Sequence, residues 1–159
     1  VALDTRRLQL MNRLSREALL EVPCEVAYAV VVDVLQYPDF LPGCGAVQII
    51  EETKSGLVAQ VEVQGAGFKE TFITANRHVP NEAVSMSLKQ GPFERLEGQW
   101  VFTPLGEVGC RVDLTIEYSA RGLLTNLLAR LADNMANMMV DAFSQRILQQ
   151  ADKLSPLRD

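Results

Sequence analysis

Residues 110–119 read CRVDLTIEYS, and residues 124–147 read LTNLLARLADNMANMMVDAFSQRI. In the first stretch apolar and polar residues alternate, which predicts a strand with one buried face. In the second, apolar residues recur at steps of three and four, which predicts a helix with one apolar stripe. No Gly or Pro interrupts residues 123–152, so this helix would be roughly 45 Å long at about 1.5 Å per residue. It would cross the whole width of a small sheet.

Upstream of this strand and helix, the sequence forms short alternating runs separated by turn residues, the pattern of an antiparallel meander. The further strands of the meander are predicted at residues 46–53, 57–64, 68–79, 84–88 and 96–102. A first strand at 14–22 and a helix at 24–36 precede them, because Pro23 suits the first turn of a helix. The predicted order is therefore strand, helix, meander, helix.

This order predicts an α+β fold in two layers. A strongly curved antiparallel sheet of six or seven strands would wrap around the long C-terminal helix. Because a curved sheet does not close evenly on a helix, we expect a cavity between them. A length of 159 residues suits one domain, which we place at 13–152, between an N-terminal extension at 1–12 and a C-terminal tail at 153–159.

Composition and charge exclude several classes of protein. Apolar residues make up 48% and charged residues 22% of the chain, as in an ordinary globular domain. The longest apolar run, 26–32, is too short to span a membrane, and no secretory signal pattern is visible, so we expect the cytosol. The net charge of −5 argues against DNA binding through the phosphates, although both ends of the chain are mildly basic.

Few residues are available for catalysis or metal binding. His78 is the single histidine, which excludes sites with two imidazoles, such as most catalytic zinc centres. Cys24, Cys44 and Cys110 are odd in number and far apart in sequence, so they predict neither a disulfide framework nor a CxxC motif, and we expect reduced thiols. A Cys44 and His78 nucleophile pair is conceivable, but a structural thiol is favoured. The chain is predicted to be no enzyme and to need no metal or catalytic cofactor.

Two apolar groups of residues allow more than one interpretation. Met135, Met138 and Met139 lie together on the long helix, and methionine suits a pocket of variable shape as well as a plain core. Phe40 and Leu41 lie in a turn between two prolines. They either cap a cavity, contact a membrane or partner, or plug the hydrophobic core, and the sequence leaves these alternatives open.

Four motifs carry a resemblance to a known family. They read YPDFLPGC at 37–44, GPF at 91–93 followed by Leu96, WVFTPL at 100–105, and CRV at 110–112. In this order and spacing they resemble the coenzyme-Q-binding START-domain family of the polyketide cyclase/dehydrase-like superfamily. The resemblance extends over residues 13–150. The RatA-like bacterial branch is the more similar one, because YPxFLPGC is intact and no mitochondrial targeting segment precedes it.

The resemblance implies a helix-grip fold and the binding of ubiquinone, or a related polyprenyl lipid, between the sheet and the long helix, in support of respiratory electron transport. The residues implied to bind it are Tyr37, Phe40 and Leu41 at the mouth, Phe93, Trp100 and Phe102 on strands, and Met135 and Met139 on the helix. Phe40 and Leu41 would also make a peripheral contact with the inner face of the plasma membrane.

The same resemblance implies an alternative function, since the bacterial branch includes a toxin that binds the large ribosomal subunit and blocks subunit association. The net charge and the lack of a basic patch interleaved with aromatic residues disfavour contact with ribosomal RNA, while the basic chain ends keep it open. A third interpretation, a cyclase-type enzyme of the wider superfamily, would need a polar cavity wall.

Overall fold

A computed structural model describes residues 11–65, 68–120 and 125–154 of the protein, and within these ranges seven strands form one antiparallel sheet. The strands are β1 Asn12–Leu20, β2 Cys44–Thr53, β3 Gly56–Gly65, β4 Phe68–Val79, β5 Ala83–Gln90, β6 Arg95–Leu105 and β7 Gly109–Ser119. Their order across the sheet is β1-β7-β6-β5-β4-β3-β2. Strands β2 to β7 are thus a meander, and β1 pairs with β7. The predicted fold, a curved sheet of this size around a long C-terminal helix, is confirmed.

Alternation along the strands decides which face of the sheet is buried. On β7 the buried side chains are Cys110, Val112, Leu114, Ile116 and Tyr118, each at most 5% exposed. The residues between them lie on the opposite face, because successive side chains of a strand point to opposite sides. On β6 the buried positions are Leu96, Gly98, Trp100 and Phe102. These two strands form the centre of the apolar face that the long helix covers.

The long helix, α3, is described from Thr125 to Leu154. Its buried stripe consists of Leu128, Ala132, Ala136, Phe143 and Ile147. The predicted first residues of this helix and the Ser-Pro that would stop it lie outside the described residues. No helix within the described ranges is long and apolar enough to cross a membrane.

An ion pair and a hydrogen bond hold α3 against the edge strand β1. The Arg16 guanidinium donates from Nη2 to Asp133 Oδ1 at 2.9 Å and from Nε to Asn137 Oδ1 at 2.6 Å. Asp133 and Asn137 are four residues apart, so both lie on the same face of the helix. Arg16 therefore links the edge strand β1 to one face of α3.

The helix predicted at 24–36 is shorter than expected. The structure has α1 at Cys24–Val32, and at Asp33 the backbone leaves the helical region with ψ of 71°. A 3-10 turn at Val34–Gln36 and a helical turn, α2 at Tyr37–Phe40, follow. The prediction of one continuous helix is therefore wrong.

Burial of Val34 accounts for this break. Val34 is 3% exposed and forms a small apolar cluster with Leu57 and Ala59 of β3, apart from the main core. In the sequence, Val34 continues the helical spacing of apolar residues. This spacing does not reveal that Val34 packs on a different strand from the residues of the preceding turn. The tertiary contact decides where the helix ends.

Gly43, in the family motif, meets two conditions that only glycine fulfils. Its φ is +78°, and a Cβ on it would lie 2.4 Å from the Gln64 carbonyl oxygen. The Gly43 carbonyl also accepts a hydrogen bond from the Gln64 N–H at 2.7 Å. The turn and strand β3 are therefore in direct backbone contact here, which fixes the position of the residues just before it.

We expect Gly43→Ala to lower the free energy of unfolding by clearly more than Gly106→Ala does. Gly106 has a similar φ of +66° but open space around it, so its variant should lose only the left-handed strain of about 1–2 kcal/mol. The Gly43 variant adds a collision with backbone. Urea unfolding of both variants measures the difference, and equal losses would contradict the role given to the close approach.

Candidate functional site

The sheet and α3 do not close completely on each other. They leave a cavity in which the centre of a water-sized sphere can move through about 110 Å³. From α3 the cavity is lined by Ala132, Met135, Met138 and Met139, and from the sheet chiefly by Val61, Val63, Phe72, Val84, Met86, Leu96, Trp100 and Ile116. The turn that carries the first family motif contributes Tyr37, Leu41, Pro42, Gly43 and Cys44. The expected space between sheet and helix is therefore present.

Six of the eight side chains implied by the resemblance line this cavity. They are Tyr37, Leu41, Phe93, Trp100, Met135 and Met139. The prediction that Phe93 lies on a strand is wrong, because it belongs to the connection at 91–94 between β5 and β6. Phe40 and Phe102 lie outside it. Placement shows which side chains a ligand could reach, and their contact with a ligand remains a prediction.

Phe40 packs on an aromatic cluster beside the cavity. Its ring centroid lies 5.1 Å from that of Phe143 and 5.9 Å from that of Tyr37. The guanidinium of Arg146 lies over the Phe40 ring, 5.3 Å from its centroid. The side chain is half-buried, so among the alternatives left open by the sequence, this geometry supports contact with the core for Phe40, while Leu41 lines the cavity.

Tyr37 joins the cluster to the cavity wall. Its hydroxyl donates a hydrogen bond to the Val31 carbonyl, and its ring meets Phe143 edge-on at 5.1 Å. Burial raises the pKa of the Tyr37 hydroxyl well above its ordinary value, with smaller contributions from Cys44 and Asp33. Tyr37 is therefore a wall residue whose hydroxyl stays protonated and neutral at neutral pH.

Phe102 belongs to the part of the core that lies beneath α1, at the far end of β6 from the cavity. It is 3% exposed, and its ring meets Tyr28 edge-on at 6.0 Å. Tyr28 also meets His78 at 6.4 Å. Alternation along β6 correctly predicts that Phe102 is buried, but α1 covers that end of the strand, so the side chain does not reach the cavity.

His78 is partly buried, and its Nε2 has no hydrogen-bond partner among the described residues. Desolvation lowers the pKa of His78, and the charge of Glu52 opposes this only in part. The folded protein therefore holds the imidazole neutral at a pH at which the unfolded chain, with a pKa of about 6.5, begins to protonate.

We expect this difference to make stability pH-dependent through His78. The contribution is fully present above about pH 6.5 and is lost as the pH falls below it, because the unfolded state then binds a proton that the folded state resists. Urea midpoints at about pH 7.5 and 5.5 should fall more for the wild type than for His78→Gln, since carboxylates titrate mainly below this window. An equal fall in both proteins would show that other groups are responsible.

The polar part of the cavity wall lies on β4. Thr74 and Asn76 are two residues apart, so they face the same side of the strand and both line the cavity. The Oδ1 of Asn76 is buried, and within the described part of the chain it has no hydrogen-bond partner. Neither residue stands out in the sequence, because a polar residue in an alternating strand is ordinarily assigned to the solvent face.

The cysteines are not as separate in space as their spacing in the sequence predicts. Cys24 Sγ lies 2.7 Å from Cys110 Sγ, because the start of α1 packs on the start of β7. Burial, then the contact with Cys24, raises the pKa of Cys110 to about 12, and burial also raises the pKa of Cys44. These values favour thiols over nucleophilic thiolates. Among the described residues, no three His, Cys, Asp or Glu side chains come together as metal ligands.

Comparison with known sequences identifies clear relatives. The family model described as "Polyketide cyclase / dehydrase and lipid transport" matches residues 20–144. The ribosome association toxin RatA of Pseudomonas aeruginosa is 41% identical over 87% of this chain and 96% of its own length. The RatA of Vibrio cholerae is 38% identical over 87% of this chain and 97% of its own length. A mitochondrial coenzyme Q-binding protein, COQ10 homolog B of Xenopus laevis, is 28% identical over 83% of this chain and 56% of its own length.

Solved structures share the architecture. The ZhuI aromatase/cyclase from a Streptomyces species superposes with a TM-score of 0.83 at 18% identity, covering 88% of this chain and 95% of that one. A START superfamily protein from Mycobacterium smegmatis superposes with a TM-score of 0.76 at 20% identity, covering 87% and 98%. At these identities the similarity shows the fold alone, and it confirms the helix-grip architecture that the sequence resemblance implied.

Proposed function

Because the chain belongs to the polyketide cyclase/dehydrase and lipid transport family, and relatives at 38–41% identity are ribosome association toxins, we propose that it associates with the ribosome. The observation that carries this proposal is the extent of the match, which covers nearly the full length of those relatives and most of this chain. Following the resemblance in the sequence, the proposed target is the large subunit, and the proposed outcome is a block of subunit association.

Sedimentation of the purified protein with ribosomal particles tests this function. We expect the protein to move with large subunits in a sucrose gradient and to lower the fraction of joined ribosomes when both subunits are present. Small subunits alone serve as the matched control. Protein that stays at the top of the gradient with every particle would contradict the proposal.

The charges on the protein surface predict how this association responds to salt. Arg13, Arg16, Arg95 and Arg111 are each already within 4 Å of a carboxylate, at the shortest distances of 3.9, 2.9, 3.1 and 2.7 Å. With these arginines paired and a net charge of −5, we expect a shallow slope of log K against log salt, because the slope grows with the number of phosphates that basic side chains neutralise. A steep slope would show that ribosomal RNA phosphates dominate the contact.

A second candidate function, supported by the cavity itself, is the binding of an apolar molecule. The described wall residues are almost all aliphatic, aromatic or methionine side chains, which favour apolar ligands. Ubiquinone or another polyprenyl lipid remains the ligand that the family resemblance suggests, and the coenzyme Q-binding relative supports it.

Binding is a better proposal than catalysis for this cavity. None of the described residues that line it carries a charge, and burial raises the pKa of its two titratable side chains, Tyr37 and Cys44. General acid-base catalysis favours a group whose pKa lies near the working pH, so these residues support binding better than catalysis. The names of the relatives above describe toxins and a binding protein, not enzymes. The similarity to aromatase/cyclases is a similarity of fold alone. The cyclase interpretation would need a polar cavity wall, and the described wall is mainly apolar.

A further inference from the structure

We infer that the cavity is built for an uncharged amphiphile, an apolar chain carrying one hydroxyl-type group that binds the side chain of Asn76. This inference rests on the second candidate function, the binding of an apolar molecule in the cavity. It adds the residue that selects the ligand and the chemical class that the residue selects.

Asn76 carries a polar atom that the protein leaves unsatisfied. Its Oδ1 is buried, and no residue in the ranges that the structure describes offers it a hydrogen bond, although a buried amide oxygen without a partner is unfavourable. Its neighbours across the sheet cannot supply one from their side chains, because they are Leu57 on β3 and Met86 on β5. Since Asn76 lines the cavity, a ligand in the cavity is the natural source of the missing partner.

The chemistry of the missing partner follows from the amide. The Oδ1 atom accepts a hydrogen bond, so the ligand group must donate one, and the adjacent Nδ2 can donate in return. A hydroxyl group both donates and accepts, whereas an ester or quinone carbonyl only accepts. A hydroxyl therefore complements the Asn76 side chain better than a carbonyl does.

The absence of charge on the described part of the wall restricts the ligand further. Transfer of a carboxylate or ammonium group into an apolar cavity without an opposite charge is strongly unfavourable. The polar wall residues, chiefly Thr74 and Asn76, are neutral. A fatty alcohol or phenol should therefore bind, and the corresponding carboxylate should not.

Trp100 provides a direct readout of occupancy. It is the single tryptophan of the chain and it lines the cavity, so bromine on a bound chain should quench its fluorescence. We would titrate the protein with 8-bromo-1-octanol, 1-bromooctane and 8-bromooctanoate. If the cavity binds apolar molecules, both uncharged probes quench. If neither does, the underlying binding function fails together with the inference.

The variant Asn76→Leu separates the inference from general apolar binding. Because a single hydrogen bond contributes modestly to binding, the ratio of the alcohol Kd to the bromooctane Kd should rise by about three- to tenfold in this variant. Met86→Leu, at the paired position on β5, changes the wall without removing a polar group and should leave the ratio unchanged. Thermal melts of both variants confirm that they are folded.

Two results would overturn the inference while leaving apolar binding intact. One is quenching by both uncharged probes with the same Kd ratio in the wild type and in Asn76→Leu. The other is tighter binding of 8-bromooctanoate than of 8-bromo-1-octanol, which would show that the cavity prefers an anion.

Discussion

Phe143→Ala should lower the free energy of unfolding by about 3–5 kcal/mol, the range for removing a large buried aromatic side chain. Phe143 is 1% exposed, and its ring centroid lies 5.0–5.1 Å from those of Tyr37, Phe40 and Trp100. The variant would leave a void where α3, the turn and β6 meet, and these three elements cannot all collapse into it.

Guanidinium unfolding followed by circular dichroism measures this loss. Leu127→Ala is the matched control on the same helix, because Leu127 is 58% exposed and should change stability by no more than about 0.5 kcal/mol. A loss below about 1 kcal/mol for Phe143→Ala would mean that the aromatic cluster is not the structural centre described above.

Met135→Trp should weaken the binding of an apolar ligand at least tenfold and leave ribosome association within about twofold. Met135 lines the cavity, and a larger rigid ring in its place fills space that a ligand chain would occupy. The space already open at this position limits the strain of overpacking, which is otherwise about 1–3 kcal/mol. The proposed ribosome contact would use the outer surface, of which Met135 is only a partly exposed member.

Equilibrium dialysis with 8-bromo-1-octanol and sucrose-gradient sedimentation with large subunits would be run on the same preparation. Leu127→Trp places the same ring on the exposed side of α3 and should preserve ligand binding. Parallel loss of both activities in Met135→Trp would contradict their separation and would indicate that cavity occupancy controls the ribosome-binding surface.

Much of the fold could be predicted because its signals are local. In β7, strict alternation corresponds directly to burial from Cys110 to Tyr118, since a strand has a side-chain period of two. In α3, steps of three and four place Leu128, Ala132 and Ile147 on one buried stripe. These patterns require no knowledge of what each face packs against.

The candidate site could be predicted only in part, for the same reason. Alternation on β6 identifies Trp100 and Phe102 as inward-facing residues, yet only Trp100 reaches the cavity, because α1 covers the other end of the strand. Asn76 was missed because a polar residue in an alternating strand is ordinarily assigned to the solvent face. Its inward orientation becomes visible only from its register opposite Leu57 and Met86.

By itself the sequence determined the α+β class, the order of elements, the long helix and the family, since all of these follow from local periodicity and from motifs contiguous in the chain. Only the tertiary structure decided that α1 ends at Asp33, that Cys24 meets Cys110, and that Asn76 faces an apolar cavity without a partner. These features arise between residues distant in the sequence, where curvature of the sheet and packing of helices set the distances, and local patterns carry no information about such distances.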